Sequence, residues 1–291
     1  MQKALGFIGL GIMGFPMAGH LATNGYKLAV FNRTLRKSQD WIKKYNGTLC
    51  ESLSELAESS EVIFLCVGND DDVKNIINGD DGIINYLKPG TILIDHTTTS
   101  AELPIELNKS LHLKKVSFLD APVSGGQAGA ESGILSVMVG GNKESYEDVK
   151  EIIGTYSKFI KYMGESGSGQ LTKMVNQICI AGLIQALAEG INFSDEVGLN
   201  TKDVIEVISK GAAQSWQMEN RWETMINDEY DHGFAVDLMR KDLDIVLKKA
   251  EKNNIPIDIT KIVNDYYKDI QKAGGGRLDT SSLLKRIKDL I

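Results

Sequence analysis

"FIGLGIMGFPMAGHL", residues 7–21, places Gly9, Gly11, Gly14 and Gly19 in a run that otherwise has the composition of a core. Three of them keep the spacing G-x-G-x-x-G, directly after a strand-like "ALGFI" and directly before a helix-like "FPMAGHLATNG". At that junction each glycine has a separate job. Gly9 permits a tight turn, Gly11 lets a pyrophosphate approach the main chain, and Gly14 lets the helix pack closely on the strand. The start of the helix adds free N–H groups and a partial positive charge facing the phosphates. Gly9, Leu10, Gly11, Ile12, Met13 and Gly14 are therefore the candidate dinucleotide contacts. A glycine-rich turn without a ligand is the alternative.

The pattern continues outward from that stretch. Short β-rich runs, "KLAVFN", "EVIFLCV", "GTILIDH" and "VSFLDAP", alternate with amphipathic helical segments such as "SLSELAES". Strands alternating with helices imply right-handed crossovers and a doubly wound, mostly parallel sheet covered on both faces. "LSVMVGG" and "KFIKYMG" add further strands. After residue 164 the β signal disappears. "GQLTKMVNQICIAGLIQALAEGINFSDEVG" is one long helix, apolar on most sides and so expected to be buried. Thr201 caps the helix "KDVIEVISKG", which ends at Gly211, and two further helices follow. The expected organisation is an α/β domain over residues 1–163 and an all-α domain over residues 164–291, joined through the long helix.

The second strand ends "VFNRT". Sites for NAD usually carry an acid here, bonded to the ribose 2′-hydroxyl. Asn32, Arg33 and Thr34 offer no carboxylate to repel a 2′-phosphate, and a guanidinium to pair with one. NADP(H) is the expected preference, with NAD(H) possible. Otherwise Arg33 is simply solvated.

Two stretches of the second half carry candidate chemistry. In "GSGQLTKMVNQ" (167–177), Lys173, Asn176 and Gln177 share roughly one face of a very apolar helix. The bland reading is a snorkelling lysine with amides bonded to nearby backbone. In "DAPVSGGQAGAESG" (120–133), the N–H groups of Ser124, Gly125 and Gly126 can form an anion-binding nest, or a plain turn. After the strand in "DHTTTS" (95–100), Thr97 or Thr98 either touches the cofactor or caps the next helix. "KGAAQSWQMENRW" (210–222) either lines a substrate pocket or makes a helix–helix contact.

Composition narrows the class. With 291 residues, 42% hydrophobic and 24% charged, the chain has an ordinary globular composition and room for two domains. A net charge of −7 argues against nucleic acid and against an anionic membrane surface. Cys50, Cys66 and Cys179 have no paired spacing and are expected reduced; the four histidines form no metal-ligand pattern. No basic leader opens the sequence and no apolar run is expected to reach membrane-span length, so a cytoplasmic protein is expected.

Together these motifs resemble the β-hydroxyacid dehydrogenase family, which includes 3-hydroxyisobutyrate dehydrogenases, tartronate semialdehyde reductases and glyoxylate/succinic semialdehyde reductases. "GFIGLGIMGFPMAGHL" is similar to its cofactor motif and "DAPVSGGQAGAESGILSVMVGG" to its substrate motif. "GSGQLTKMVNQ" is similar to its catalytic helix and "RKDLDIVL" to its late cofactor motif. The resemblance covers essentially the whole chain. It implies a Rossmann domain joined by a long helix to an all-helical domain, assembled as a homodimer or homotetramer. It implies Lys173 as the catalytic residue, with Ser124, Gly125, Gly126 and Asn176 holding the substrate carboxylate and reacting oxygen. It places Thr98 near the nicotinamide, Val67, Gly68 and Asn69 along the cofactor, and Lys241 on the cofactor with Phe234 and Asp242 nearby. "CVGN" (66–69) departs from the family's frequent "MLPN"-like segment.

The implied reaction interconverts a small β-hydroxy acid and its semialdehyde. As an ammonium, Lys173 would stabilise charge developing on the carbonyl oxygen and donate a proton, and burial would bring its pKa toward neutrality. A non-catalytic dinucleotide sensor would keep the glycines but have no need for Lys173 and Asn176.

Overall fold

The computed structural model describes residues 3–289. The chain divides into two compact units between Lys173 and Met174.

The first unit alternates strands and helices from its start: β1 (Leu5–Ile8), α1 (Gly14–Thr23), β2 (Leu28–Phe31), α2 (Leu35–Lys44), β3 (Thr48–Leu49), α3 (Leu53–Ser59), β4 (Val62–Leu65), α4 (Asp70–Asn78), β5 (Ile92–Asp95), α5 (Glu102–His112) and β6 (Ser117–Asp120). β7 (Val123–Ser124), α6 (Gly126–Glu131), β8 (Leu135–Gly140), α7 (Lys143–Ile153) and β9 (Ser157–Gly164) complete it. The strands form one sheet of order β3-β2-β1-β4-β5-β6-β8-β7, with β9 also paired to β8. The path from β3 to β6 is parallel throughout and has the order of a dinucleotide-binding Rossmann sheet. β8 is the antiparallel addition, running against β6 and β7.

Successive strand residues point to opposite faces, and the apolar residues follow that period. Leu5, Phe7, Phe64 and Ile94 join Met17 and Leu21 of α1, Trp41 of α2 and Val149 of α7 on one face. Ile8, Ile63, Leu65 and Leu93 join Leu56 of α3, Val73 and Ile77 of α4 and Leu107 of α5 on the other. Strands buried on both faces read as nearly continuous apolar runs, the pattern of "VIFL" and "ILID".

α8 (Ser168–Glu196) contains the division between the units, whereas the sequence reading set the boundary at 163/164, the end of β9. The second unit continues with α9 (Thr201–Ile208), α10 (Trp216–Ile226), α11 (Val236–Lys252), α12 (Asp258–Lys272) and α13 (Leu283–Asp289). Its core gathers Ile184, Leu187 and Ile191 from α8, Met218 from α10, Met239 and Leu243 from α11, Val263 and Tyr267 from α12, and Leu283 and Leu284 from α13.

Three sequence expectations need correction. α8 is long enough to cross a membrane, and with a mean hydropathy of 1.4 apolar enough. No run was expected to reach that size; Gln170, Lys173, Gln177 and Gln185 stand among the apolar residues of the helix, and all four are buried in the protein. Nor is the helix buried on most sides: Val175 and Phe193 lie exposed. The cap of α9 is Asn200, whose side chain accepts from Lys202 N, while Thr201 bonds Ser194 and Asp195 instead.

Candidate active site

The glycine loop is built as the spacing requires. Gly9 has φ +97°, in the left-handed region, and a Cβ there would overlap the Cys66 carbonyl. A Cβ on Gly14 would overlap the Gly9 carbonyl, so only glycine lets α1 approach β1 this closely. A Cβ on Gly11 would meet nothing within 4 Å. Main chain is thus bare at one point on the loop, and that point faces open space. α1 begins with no side-chain cap and no acid in its first turn. Among the described residues, the amides of Gly11, Ile12 and Met13 donate to no backbone carbonyl. Unpaired amides at a helix start, without a competing carboxylate, suit a phosphate, so these residues fit a dinucleotide.

Asn32 is a clasp for this loop. Its Oδ1 accepts from Leu10 N at 2.9 Å and its Nδ2 donates to Thr34 O at 3.1 Å. Arg33 beside it is 90% exposed in its side chain, with one guanidinium nitrogen 3.4 Å from Asp72 Oδ1. Asn69 caps α4, accepting from Asp72 N at 2.9 Å. A Cβ on Gly68 would meet the Asp72 carboxylate, which would have to turn aside. Val67 N donates to Thr97 Oγ1 at 3.1 Å, tying the ends of β4 and β5 together. Neither Thr97 nor Thr98 caps α5: that helix has Ala101 at its cap position, and Ser100 Oγ accepts from Leu103 N. Thr98 is half-buried between buried Thr97 and Thr99.

Lys173 is 7% exposed, and its Nζ donates to Val123 O at 2.9 Å. Val123 and Ser124 form β7, held in register opposite Val137 and Ser136 of β8. Gly125 and Gly126 follow with φ +135° and +62°, a backbone path that favours glycine at both positions. The lysine ammonium is therefore tied to the residue immediately before Ser124–Gly125–Gly126, within one unit.

Buried polar groups fix that arrangement. The Asp120 carboxylate accepts from Gly167 N at 2.8 Å and Gln170 N at 3.0 Å, two amides at the start of α8. A carboxylate there satisfies orphan amides and complements the helix dipole. Burial nevertheless pushes its pKa up to about 6 against these hydrogen bonds. Asp95, whose Oδ1 accepts from Thr97 N, is pushed up to about 7, chiefly by burial. Burial lowers His96 to about 4; its ring sits between Ala121 O and the Tyr156 hydroxyl. α8 also passes extremely close to the sheet. A Cβ on Gly169 would lie 2.5 Å from both Asp120 O and Met138 O.

The remaining site candidates belong to the helical unit. Asn176 Nδ2 donates to Gln177 Oε1 at 2.8 Å, and Gln177 Nε2 donates to Asp242 Oδ2 at 2.7 Å. Lys241 Nζ lies 3.2 Å from Asp242 Oδ1. Asp242 is buried, which makes it the anchor for Gln177 and Lys241. Phe234 N donates at 2.8 Å to Asp279, a buried carboxylate also 3.4 Å from Arg221 Nε. In the 210–222 stretch, Met218 packs in the helical core and the Arg221 guanidinium covers the Trp216 ring. Sequence reasoning passed over Asp120, Gln170 and Asp279. Each acts across many residues, and the only local hint was a glutamine in an apolar helix.

Comparison with known proteins agrees with this architecture. The family described as the NAD binding domain of 6-phosphogluconate dehydrogenase matches residues 4–164. The one described as NAD-binding of NADP-dependent 3-hydroxyisobutyrate dehydrogenase matches residues 167–287. An uncharacterized oxidoreductase of Shewanella frigidimarina is 50% identical over 97% of both chains. The 2-hydroxy-3-oxopropionate reductase of Escherichia coli is 33% identical over 98% of this chain and 97% of that one. The crystal structure of 3-hydroxyisobutyrate dehydrogenase from Salmonella typhimurium superposes with a TM-score of 0.86 at 25% identity, covering 98% of this chain and 99% of that one. A Rossmann sheet opened by G-x-G-x-x-G, and a buried lysine beside a Ser-Gly-Gly turn, thus stand in a chain related along its whole length to such enzymes, and the protein belongs to the β-hydroxyacid dehydrogenase family of NAD(P)-dependent oxidoreductases.

Proposed function

We propose that this protein reduces a small carboxylate-bearing semialdehyde to its β-hydroxy acid, and runs in reverse, with NADPH preferred over NADH and Lys173 as the proton donor and acceptor. The observation that carries the reading is the buried Lys173 ammonium on Val123 O, next to Ser124–Gly125–Gly126. The relatives named for 3-hydroxyisobutyrate and 2-hydroxy-3-oxopropionate supply the substrate class.

The nicotinamide dinucleotide supplies or takes up the hydride. The amides of Gly11, Ile12 and Met13 would hold its pyrophosphate, and Thr98 would lie toward the nicotinamide. Ser124 and the amides of Gly125 and Gly126 hold the substrate carboxylate, and Asn176, one helical turn beyond Lys173, contributes an amide to the reacting oxygen. As negative charge grows on that oxygen, the Lys173 ammonium stabilises it and delivers a proton; in oxidation the neutral amine removes the hydroxyl proton. A positioned proton donor is typically worth about 10²–10⁴-fold in rate. Arg33 supports the NADPH preference: its side chain stands exposed just beyond β2, and it can exchange its contact with Asp72 for one with a 2′-phosphate. Phe234, Lys241 and Asp242 are the helical unit's proposed cofactor residues, and the working assembly is a homodimer or homotetramer.

Steady-state rates with methylmalonate, tartronate and succinate semialdehydes and glyoxylate, each with NADPH and NADH, test this. The expected result is one preferred semialdehyde and a higher kcat/KM with NADPH. Equal or better rates with NADH would remove the cofactor preference, and no turnover with any of the four would remove the substrate class.

A further inference from the structure

Gln170 is fully buried, sits in the first turn of α8, and uses both ends of its amide on one loop. Its Nε2 donates to Thr97 O at 2.7 Å and its Oε1 accepts from Thr99 N at 3.0 Å. These are the backbone groups on either side of Thr98. Its own N–H donates to Asp120, so its place on the sheet is fixed as well. Lys173 lies three residues further along the same helix, on the same face. The loop is anchored independently to the sheet, since Thr97 N donates to Asp95 and Thr97 Oγ1 accepts from Val67 N. Gln170 is the link between that anchored loop and the helix carrying the lysine.

We propose that Gln170 is a positioning residue: its amide bridges Thr97 O and Thr99 N and thereby sets the distance between the Thr98 loop and the Lys173 ammonium. The inference rests on the roles proposed above for Lys173 and Thr98. A side chain at this position needs one donor and one acceptor at the right reach. Glutamine has both, and an aliphatic residue would leave a buried carbonyl and a buried amide without partners. Hydride and proton transfer both depend on near-contact geometry, and an error of about 1 Å costs on the order of 100-fold.

The test is a single-turnover measurement. Enzyme saturated with NADPH is mixed rapidly with excess of whichever semialdehyde, methylmalonate, tartronate or succinate, has the highest kcat/KM, and NADPH absorbance is followed. Gln170→Met keeps the side-chain length and removes both hydrogen bonds. The expected result is a rate constant at least tenfold lower, with unchanged burst amplitude and an NADPH Kd within about twofold of wild type. A wild-type rate constant would overturn the proposal, including when the amplitude falls, because loss of folded enzyme lowers amplitude and leaves the rate alone.

Gln170→Glu is the second variant and carries the test if the first does not fold. A protonated carboxyl can donate to Thr97 O and accept from Thr99 N, as the amide does. Burial and the nearby carboxylates Asp95 and Asp120 favour that protonated form. Its rate relative to wild type at the same pH is therefore expected to rise from pH 8.5 to pH 5.5; a flat or falling ratio would overturn the proposal. Lys173→Ala, measured alongside, separates the two readings. If it keeps its turnover, the proposed catalytic role fails, whereas if it is dead and the Gln170 variants are fast, only the positioning role fails.

Discussion

Gly169→Ala is a single-methyl change whose effect follows from the packing of α8 on the sheet. The backbone of Gly169 is not in the left-handed region, so alanine carries no conformational strain there. The problem is space. The new Cβ would stand 2.5 Å from Asp120 O and from Met138 O, and 2.8 Å from Asp120 Oδ2. Two of the three neighbours are sheet backbone, which yields little. Ordinary contact begins near 3.4 Å, so the start of α8 must lift by about 0.9 Å. Overpacking of this kind typically costs about 1–3 kcal/mol. A helix moves as a body, so Lys173, one turn later, moves with it. A displacement near 1 Å from productive geometry costs on the order of 100-fold in turnover. The control is Gly182→Ala in the same helix, where a Cβ meets nothing within 4 Å. It should leave turnover intact and stabilise the protein by about 0.5–1 kcal/mol, the usual gain for alanine over glycine inside a helix. Thermal unfolding and steady-state kinetics of both variants decide the matter. A Gly169→Ala enzyme with wild-type kcat and Tm would refute the claim that sheet contact sets the height of the lysine.

Gly11→Ala should keep wild-type stability, because nothing in the protein fills the space, yet weaken NADPH binding by at least tenfold in a fluorescence titration; Gly14→Ala should destabilise the fold by crowding Gly9. Arg33→Ala should raise KM for NADPH about tenfold, the loss of a charge-assisted contact, and leave KM for NADH within about twofold. Asp95→Asn tests the buried carboxyl. With its folded pKa raised from 3.8 to about 7, the native state binds the extra proton between those values, so wild-type stability falls as pH rises toward and through 7. The asparagine still accepts from Thr97 N and has no charge to desolvate, so it should gain on wild type by about 3 kcal/mol between pH 5 and pH 9 in denaturant titrations; a pH-independent difference would contradict the assignment.

The parts of this site that were legible in the sequence are those whose physics is local. Gly9, Gly11 and Gly14 announce themselves because a turn, a bare stretch of main chain and a close helix approach all fall within six residues. Lys173 stood out because an ammonium on an apolar helix needs a partner. The groups that place it were not legible. Asp120 meets Gly167 and Gln170, and Gln170 meets Thr97 and Thr99, only after the sheet has brought distant segments together. Asn32 was read as a cofactor contact from its position after a strand and Asn69 from the resemblance; their side chains also clasp a loop and cap a helix. A short polar residue after a strand serves the backbone as readily as a ligand, and spacing cannot separate the two uses.

The most direct measurement is the turnover of Lys173→Ala with NADPH and the preferred semialdehyde, beside its NADPH Kd from tryptophan fluorescence. The expected outcome is a kcat lower by about 10²–10⁴-fold with cofactor affinity kept. Near-wild-type turnover in a folded, NADPH-binding variant would show that the proton comes from elsewhere.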